Sequence, residues 1–351
     1  MANKIVEDVV TDKAVLRNNV VSKSQDINND NEESYVLHDF LEITGAYKEA
    51  DSTETVREIS RFHEYYYTLK IGNPKKINIK KINWAISYDK SKQKYFLFSG
   101  GTLIENDTLL IKLKVAKGVN RFTLYASPNR NFIENVSLDI YFKKSCVFVV
   151  GGAGDKRKFL GIGPTTIVDR NIVDVFFNNK TQGMVKDDIN IHYLGYYELF
   201  GSKLRKEVIS KIPSIKADVN FIGHSIGGWN SAHASSLLNG MGYEVNILIT
   251  LDPVGVDSTV RIPSDIYNET PNPISETWID IFSNPDDFNF SDFIADFGVQ
   301  WIPEFSLVDY YEEVGFSHQQ AGKMYFDTQL DNAQTPHEML CSSIKEYLET
   351  K

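Results

Sequence analysis

Lys216-Ala-Asp-Val-Asn-Phe-Ile-Gly-His-Ser-Ile-Gly-Gly228 decides the fold. An apolar strand runs into Gly223-His224-Ser225-Ile226-Gly227, and a segment with helical spacing, Trp229 to Met241, follows. Gly-x-Ser-x-Gly between a strand and a helix is a nucleophile elbow. The turn is so tight that the residues two before and two after the serine must be small, and Gly223 and Gly227 meet that demand. The bare pattern is common by chance, but here the strand, the helix and the additional Gly228 agree with it.

On either side of the elbow, apolar strands alternate with helical patterns. Cys146-Val-Phe-Val-Val150 is an unbroken apolar run of the kind found in strands buried on both faces, and it marks the start of a parallel sheet near Lys143. Further strands are expected at Ile172 to Phe177, Ile189 to Leu194, Val219 to Ile222, Val245 to Leu251, Trp278 to Phe282 and Leu307 to Tyr311. Helices are expected at Leu199 to Ile212 and Ile226 to Met241. Strand and helix alternating around an elbow is the α/β-hydrolase plan, assigned to residues 144–351.

Upstream, the periodicity changes to two. Ile82, Trp84, Ile86 and Tyr88 share one face, as do Ile111, Leu113 and Val115, and Val136, Leu138, Ile140 and Phe142. Gly100-Gly101, Asn106-Asp107, Gly118 and Pro128-Asn129 punctuate these runs. Short alternating strands at hairpin spacing predict a smaller antiparallel β-sandwich over residues 34–143. Residues 1–33 are polar and end in Asn28-Asn29-Asp30-Asn31-Glu32-Glu33, a composition that predicts a disordered leader.

The chain has 351 residues, 42% of them hydrophobic, enough for two domains with a sizeable core. A formal charge of −10 argues against a nucleic-acid partner, since phosphate binding needs a basic surface and Lys75-Lys76 and Lys80-Lys81 are short clusters. The two cysteines, Cys146 and Cys341, have no spacing that suggests a disulfide framework or a zinc site, so two buried, reduced thiols are expected and no metal. Met1 to Asp30 lacks the basic start, apolar core and small-residue cleavage site of a signal peptide. No run approaches the roughly 20 apolar residues of a membrane span.

A serine hydroxyl needs a base within hydrogen-bond reach and a carboxylate to orient that base. In this fold the order is serine, acid, histidine. Downstream of Ser225 stand His233, His318 and His337. His233 lies within the elbow helix, away from where a base must sit. His318 follows the last expected strand and is the first choice; His337, at the start of the final helical pattern from Pro336 to Leu348, is the fallback. Asp252 ends the strand Val245 to Leu251 and precedes Pro253, at the carboxyl end of a sheet strand where active-site groups gather. Asp287 and Asp296 follow the next strand, the commoner origin of the acid, and are the fallback.

Two backbone N–H donors must face the developing oxyanion. One is the residue after the serine, Ile226; the other is expected in Gly151-Gly152-Ala153-Gly154-Asp155, from Gly152 or Ala153. No Gly-Lys-Ser/Thr follows that loop, which rejects a phosphate-binding Walker loop. This chemistry requires no cofactor.

With the elbow and its His224, Gly-Gly-Ala-Gly-Asp155, Leu251-Asp-Pro-Val-Gly255 and Gly315-Phe-Ser-His-Gln-Gln-Ala-Gly-Lys-Met-Tyr-Phe326, the chain resembles lipase-like α/β hydrolases. More narrowly it looks like the type VI secretion lipase effectors of Gram-negative bacteria, some of which carry an Ig-like β domain ahead of the hydrolase. The resemblance implies Ser225 as nucleophile, His318 as base and Asp252 as acid, as in the Leu-Asp-Pro of pancreatic-type lipases. It also implies a phospholipid substrate at a membrane surface, a cognate immunity protein, and a β domain that docks to the secretion apparatus. Such a toxin would be loaded from the producer's cytoplasm into the periplasm of a target cell without a signal peptide.

Phe290, Phe293, Phe297 and Trp301 fall at helical spacing between the candidate acid and base and would form the apolar face of a lid over a lipid site. The leading expectation is therefore a serine lipase or phospholipase working through an acyl-enzyme. A soluble esterase, thioesterase or acyltransferase would share the same triad. From another class, an inactive hydrolase domain could serve a binding protein.

Overall fold

The period-two runs of the N-terminal half form strands. The computed structural model describes residues 41–56, 58–61, 63–72, 77–88, 92–105, 107–115, 119–159, 161, 163–178, 186–256, 265–286 and 298–350. The expected leader, 1–33, lies outside the described residues. Contacts divide the chain into two compact units, one ending at Lys143 and rejoined by the C-terminal residues from Glu349, the other Lys144–Leu348.

The first unit contains β1 (Leu41–Tyr47), β2 (Glu58–Ile59), β3 (Glu64–Ile71), β4 (Asn83–Tyr88), β5 (Tyr95–Ser99), β6 (Thr102–Glu105), β7 (Thr108–Lys114), β8 (Arg121–Ser127) and β9 (Val136–Phe142). They form two sheets, ordered β1-β3-β7-β6 and β2-β9-β8-β4-β5. The pairings are antiparallel except for β2 with β9. Alternate side chains of both sheets, including Tyr67 and Leu69 of β3, Ile111 of β7, Trp84 of β4 and Phe122 of β8, fill one apolar core. Trp84 satisfies its indole N–H on the Gly100 carbonyl at 2.7 Å, so a fully buried ring leaves no unpaired donor. The chain's last residues had been expected in the hydrolase domain. Instead the Thr350 carbonyl accepts from Ser60 Oγ at 2.7 Å and Lys143 Nζ at 2.8 Å, within the first unit.

The second unit is a mixed α/β structure. Its strands are β10 (Ser145–Gly151), β11 (Ile189–Gly195), β12 (Asp218–His224), β13 (Val245–Leu251), β14 (Thr277–Ser283) and β15 (Tyr310–Val314). They form one parallel sheet in the order β11-β10-β12-β13-β14-β15. Its central strands are buried on both faces, which is why they read as continuous apolar runs. Phe148 and Val150 point to one apolar core and Val147 and Val149 to the other. The helices are α1 (Ser202–Glu207), α2 (Ile226–Gly240), α3 (Ala321–Phe326) and α4 (Pro336–Glu349). α1 and α2 bury Leu204, Trp229 and Leu238 on the first face, and α3 and α4 bury Met324, Tyr325 and Leu340 on the second. Each such side chain contributes roughly 1.5–3 kcal/mol. Cys146 and Cys341 are buried, and neither takes part in a disulfide. No helix among the described residues is long and apolar enough to cross a membrane.

The strand expected at Ile172 to Phe177 is instead helical, a π-turn over Asp169–Val173 closed by the Asp174 amide on the Asp169 carbonyl. Val168, Ile172 and Phe176 are all buried, and their spacing of four is the helical period that a short apolar run disguises. The helix expected from Leu199 to Ile212 is reduced to α1 and a 3₁₀ turn, Ile209–Lys211. The last strand begins at Tyr310, three residues later than expected, because Phe305–Leu307 forms a 3₁₀ turn. All six parallel strands deliver their carboxyl ends to the same edge of the sheet, and the loops leaving that edge carry the groups described next.

Candidate active site

Ser225 stands alone between β12 and α2, with φ 58° and ψ −131°. An L-residue held there costs on the order of 1–3 kcal/mol. The glycines on either side make the conformation possible. A Cβ on Gly223 would lie 2.6 Å from the Gly227 oxygen, and one on Gly227 would collide with the Val150 carbonyl. Two bonds fasten the turn to the adjacent strand: the Ser225 amide donates to the Leu251 carbonyl at 3.0 Å, and the Val254 amide to the Ser225 carbonyl at 3.2 Å.

Parallel register sets Leu251 beside His224, so Asp252 leaves the sheet next to Ser225. Asp252 is fully buried and also left-handed, at φ 46°. Its Oδ2 accepts from His318 Nδ1 at 2.5 Å, while Oδ1 accepts from the Ser283 amide at 3.2 Å and from Gln300 Nε2 at 2.5 Å. Three donors compensate the burial of this carboxylate. A carboxylate can only accept, so His318 carries its proton on Nδ1 and presents Nε2 as a base.

His318 is placed by backbone as well as by Asp252. Ser283 Oγ donates to the Phe316 carbonyl at 2.6 Å, and Gln320 Oε1 accepts from the Ser317 amide at 2.9 Å. His224 Nε2 donates to the His318 carbonyl at 2.7 Å, and the two rings lie 4.6 Å apart between centroids. Complete burial, with the His318 ring nearby, pushes the His224 imidazole down to about 3, so it is neutral near pH 7. The base is thereby set beside the residue that precedes Ser225.

The glycine loop after β10 closes on the same serine. A Cβ on Gly152 would lie 2.5 Å from Ser225 Cβ and 2.9 Å from its Oγ. Asp155 fixes this loop from below: its buried carboxylate accepts from the amides of Ile167 and Val168 and from Thr165 Oγ1. Burial raises its proton affinity, and those same bonds oppose the rise. Ala153, half-buried, packs on the apolar core. Ile226 opens α2, where a backbone amide has no intrahelical acceptor.

Thus Ser225, Asp252, His318, Gly152 and Ile226 converge on one edge of the sheet. The fallback base does not join them. His337 is buried among Phe176, Tyr325 and Phe326, with Nδ1 at 3.0 Å from the Tyr325 hydroxyl, because its place on α4 faces the opposite apolar core. His233 bonds the Glu269 carbonyl from α2. The fallback acids Asp287 and Asp296, and the lid residues Phe290, Phe293 and Phe297, lie outside the described residues. Trp301 departs from the lid expectation: it is buried, stacked on Trp278 and edge-on to Trp229, so its ring belongs to the core. Among the described residues no three His, Cys, Asp or Glu side chains gather as a metal site would require.

Sequence reasoning gave no role to Ser283, Gln300 and Asp155 and none beyond the motif to His224. Asp280 was missed entirely. It lies fully buried on β14 with Thr250 Oγ1 at 2.5 Å from Oδ1, and among the described residues Oδ2 has no hydrogen-bond partner. A carboxylate in the middle of an apolar strand was the available signal.

No family model matches the chain, and no curated protein matches it in sequence. Among solved structures, the thioesterase domain of NocB from the nocardicin cluster aligns with a TM-score of 0.31 and 11% identity, over 51% of this chain and 87% of that one. That likeness is too slight to bear on fold or function.

Proposed function

We propose that the chain is a serine carboxylic-ester hydrolase of the α/β-hydrolase type, a lipase or phospholipase acting on lipid acyl esters. The observation that carries this reading is the buried 2.5 Å contact between Asp252 Oδ2 and His318 Nδ1, formed beside a serine in a strained elbow. The sheet supports the α/β-hydrolase assignment, with the serine, acid and histidine following β12, β13 and β15 in the chain order of that fold.

In the proposed reaction His318 Nε2 takes the Ser225 proton as Oγ attacks the acyl carbonyl. The amide of Ile226 and one from Gly152 or Ala153 receive the oxyanion. His318 then gives its proton to the leaving alcohol, leaving an acyl-enzyme. Water, deprotonated by the same imidazole, releases the fatty acid and restores Ser225. Asp252 keeps Nδ1 protonated and stabilises the transient imidazolium.

The lipid substrate, delivery by a type VI secretion system into a target periplasm, and a cognate immunity protein rest on the sequence resemblance. An Ig-like first unit rests on the same resemblance, and its two sheets, β1-β3-β7-β6 and β2-β9-β8-β4-β5, share one apolar core as a sandwich requires. The test is hydrolysis of mixed phospholipid vesicles by the protein and by Ser225→Ala, with products identified by mass spectrometry. Fatty acid released by the wild type alone sustains the lipase reading. Cleavage only of a soluble ester or thioester moves the substrate class, and no Ser225-dependent cleavage of any acyl substrate rejects the hydrolase.

A further inference from the structure

Between β5 and β6 the chain leaves one sheet of the first unit and joins the other, through Gly100-Gly101. Among the described residues each of these strands is the last in its sheet. A groove of about 1050 Å³ runs along them, with Ile79, Phe96, Phe98 and Leu103 among its apolar lining. Among the described residues its charged lining consists of Lys80, Lys112 and Arg130, with no Asp or Glu, in a chain whose formal charge is −10. Lys112 is held by Glu64 at 2.9 Å. Lys80 and Arg130 are exposed at the rim, Arg130 with its guanidinium carbon 5.2 Å from the centre of the Phe96 ring.

Sheet edges are normally protected by lysine, proline, a bulge or a covering segment, because a row of unsatisfied backbone donors and acceptors templates another strand. β6 reads Thr-Leu-Ile-Glu, and all four residues are exposed, Leu103 at 51% and Ile104 at 47%. One side of β6 pairs with β7, through Thr102 with Leu110 and Leu103 with Leu109. Among the described residues nothing pairs with the other, an edge with two consecutive large apolar residues.

We propose that this edge and groove accept an extended, acidic segment of a partner protein as an added strand. Main-chain bonds to β6 would give the affinity, alternate apolar side chains would enter the groove, and carboxylates between them would meet Lys80 and Arg130. The cations decide the partner's chemistry: among the described residues Lys80, Lys112 and Arg130 are the charges in the lining, and they are too few for the phosphate backbone of a nucleic acid. This inference does not depend on the hydrolase reading.

The test uses the full chain and a fluorescein-labelled octapeptide alternating Val or Ile with Asp or Glu, read by anisotropy. Three results are expected. A charge-reversed Lys/Arg peptide binds at least about tenfold more weakly, Lys80→Glu with Arg130→Glu weakens the acidic peptide by about tenfold or more, and N-methylation of alternate peptide bonds abolishes binding to the wild type. The last measurement needs no variant, so a misfolded double mutant would not obscure the answer. Equal binding of acidic and basic peptides, or indifference to N-methylation, would overturn the proposal. So would a wild-type dimer, seen by sedimentation, that the double substitution dissociates, or binding confined to phosphatidylglycerol vesicles.

Discussion

His224 holds His318 by its backbone: the Nε2–H of one donates to the carbonyl of the other at 2.7 Å, with the rings 4.6 Å apart. The end of β12 and the loop after β15 are therefore tied together one residue before Ser225. Nε2–H donates in the neutral and the protonated ring alike, and burial, which lowers the pKa to about 3, keeps that ring neutral across the ordinary working range. In the proposed hydrolase His224 is a positioning residue, since it touches the base and not the reacting atoms.

His224→Phe retains a ring but removes the donor, leaving a buried carbonyl unpaired at a cost of roughly 1–3 kcal/mol. We expect kcat on a short-chain ester to fall by about tenfold or more with KM nearly unchanged, since a displaced base loses transition-state stabilisation and not binding. His224→Gln, which keeps an N–H donor, should recover part of the loss. A fall in stability with kcat unchanged in the folded fraction would show that the contact is structural only.

Asp252→Asn should lower kcat by roughly 10³- to 10⁴-fold, because the amide cannot enforce a proton on His318 Nδ1. Asp287→Asn and Asp296→Asn should stay within about threefold of wild type, since the imidazole has its partner already. His337→Gln is expected to cost about 1–3 kcal/mol of stability through its bond to Tyr325 while sparing kcat. Ester kinetics together with urea titration of each variant decide all four.

Gly152→Ala should abolish hydrolysis without unfolding the protein, because the new methyl would meet Ser225 Cβ at 2.5 Å and Oγ at 2.9 Å. Gly240→Ala is the matched control. Its Cβ meets nothing within 4 Å at the end of α2, so it should leave activity intact and add about 0.5–1 kcal/mol of stability.

Asp280 predicts a pH dependence of stability. Burial raises its pKa from 3.8 to about 8; the bond from Thr250 opposes the shift and the charge of Asp252 adds to it. Between about pH 4 and 8 the folded state keeps a proton that the unfolded chain has released. Each pH unit upward then costs the folded state about 1.4 kcal/mol through this group. Asp280→Asn, neutral throughout, should gain on wild type by roughly 3 kcal/mol between pH 5 and 7.5. Urea unfolding at the two pH values, followed by tryptophan fluorescence, measures that difference; parallel shifts at both would refute it.

The elbow was legible because its constraint is local: two glycines and a serine between a strand and a helix admit few other structures. The parallel strands were legible for the same kind of reason, apolar runs without alternation. What failed was periodicity over short spans, as at Ile172 to Phe177, where apolar neighbours obscure a spacing of four. The preference for His318 over His337 rested on its place after the last strand, since both lie near the C-terminus; it is the packing of α4 that turns His337 away. Gln300 and Ser283 were illegible because they reach Asp252 across 48 and 31 positions of sequence.

The left-handed backbone at Ser225 carries an evolutionary consequence. Glycine adopts such a conformation freely, whereas serine is strained there. A lineage released from selection for the hydroxyl would find Ser225→Gly, a change that relieves the turn, among its most accessible stabilising steps. Serine at this position is in that sense held against a thermodynamic gradient, and drift at this codon would expose a loss of use sooner than drift in the surrounding core.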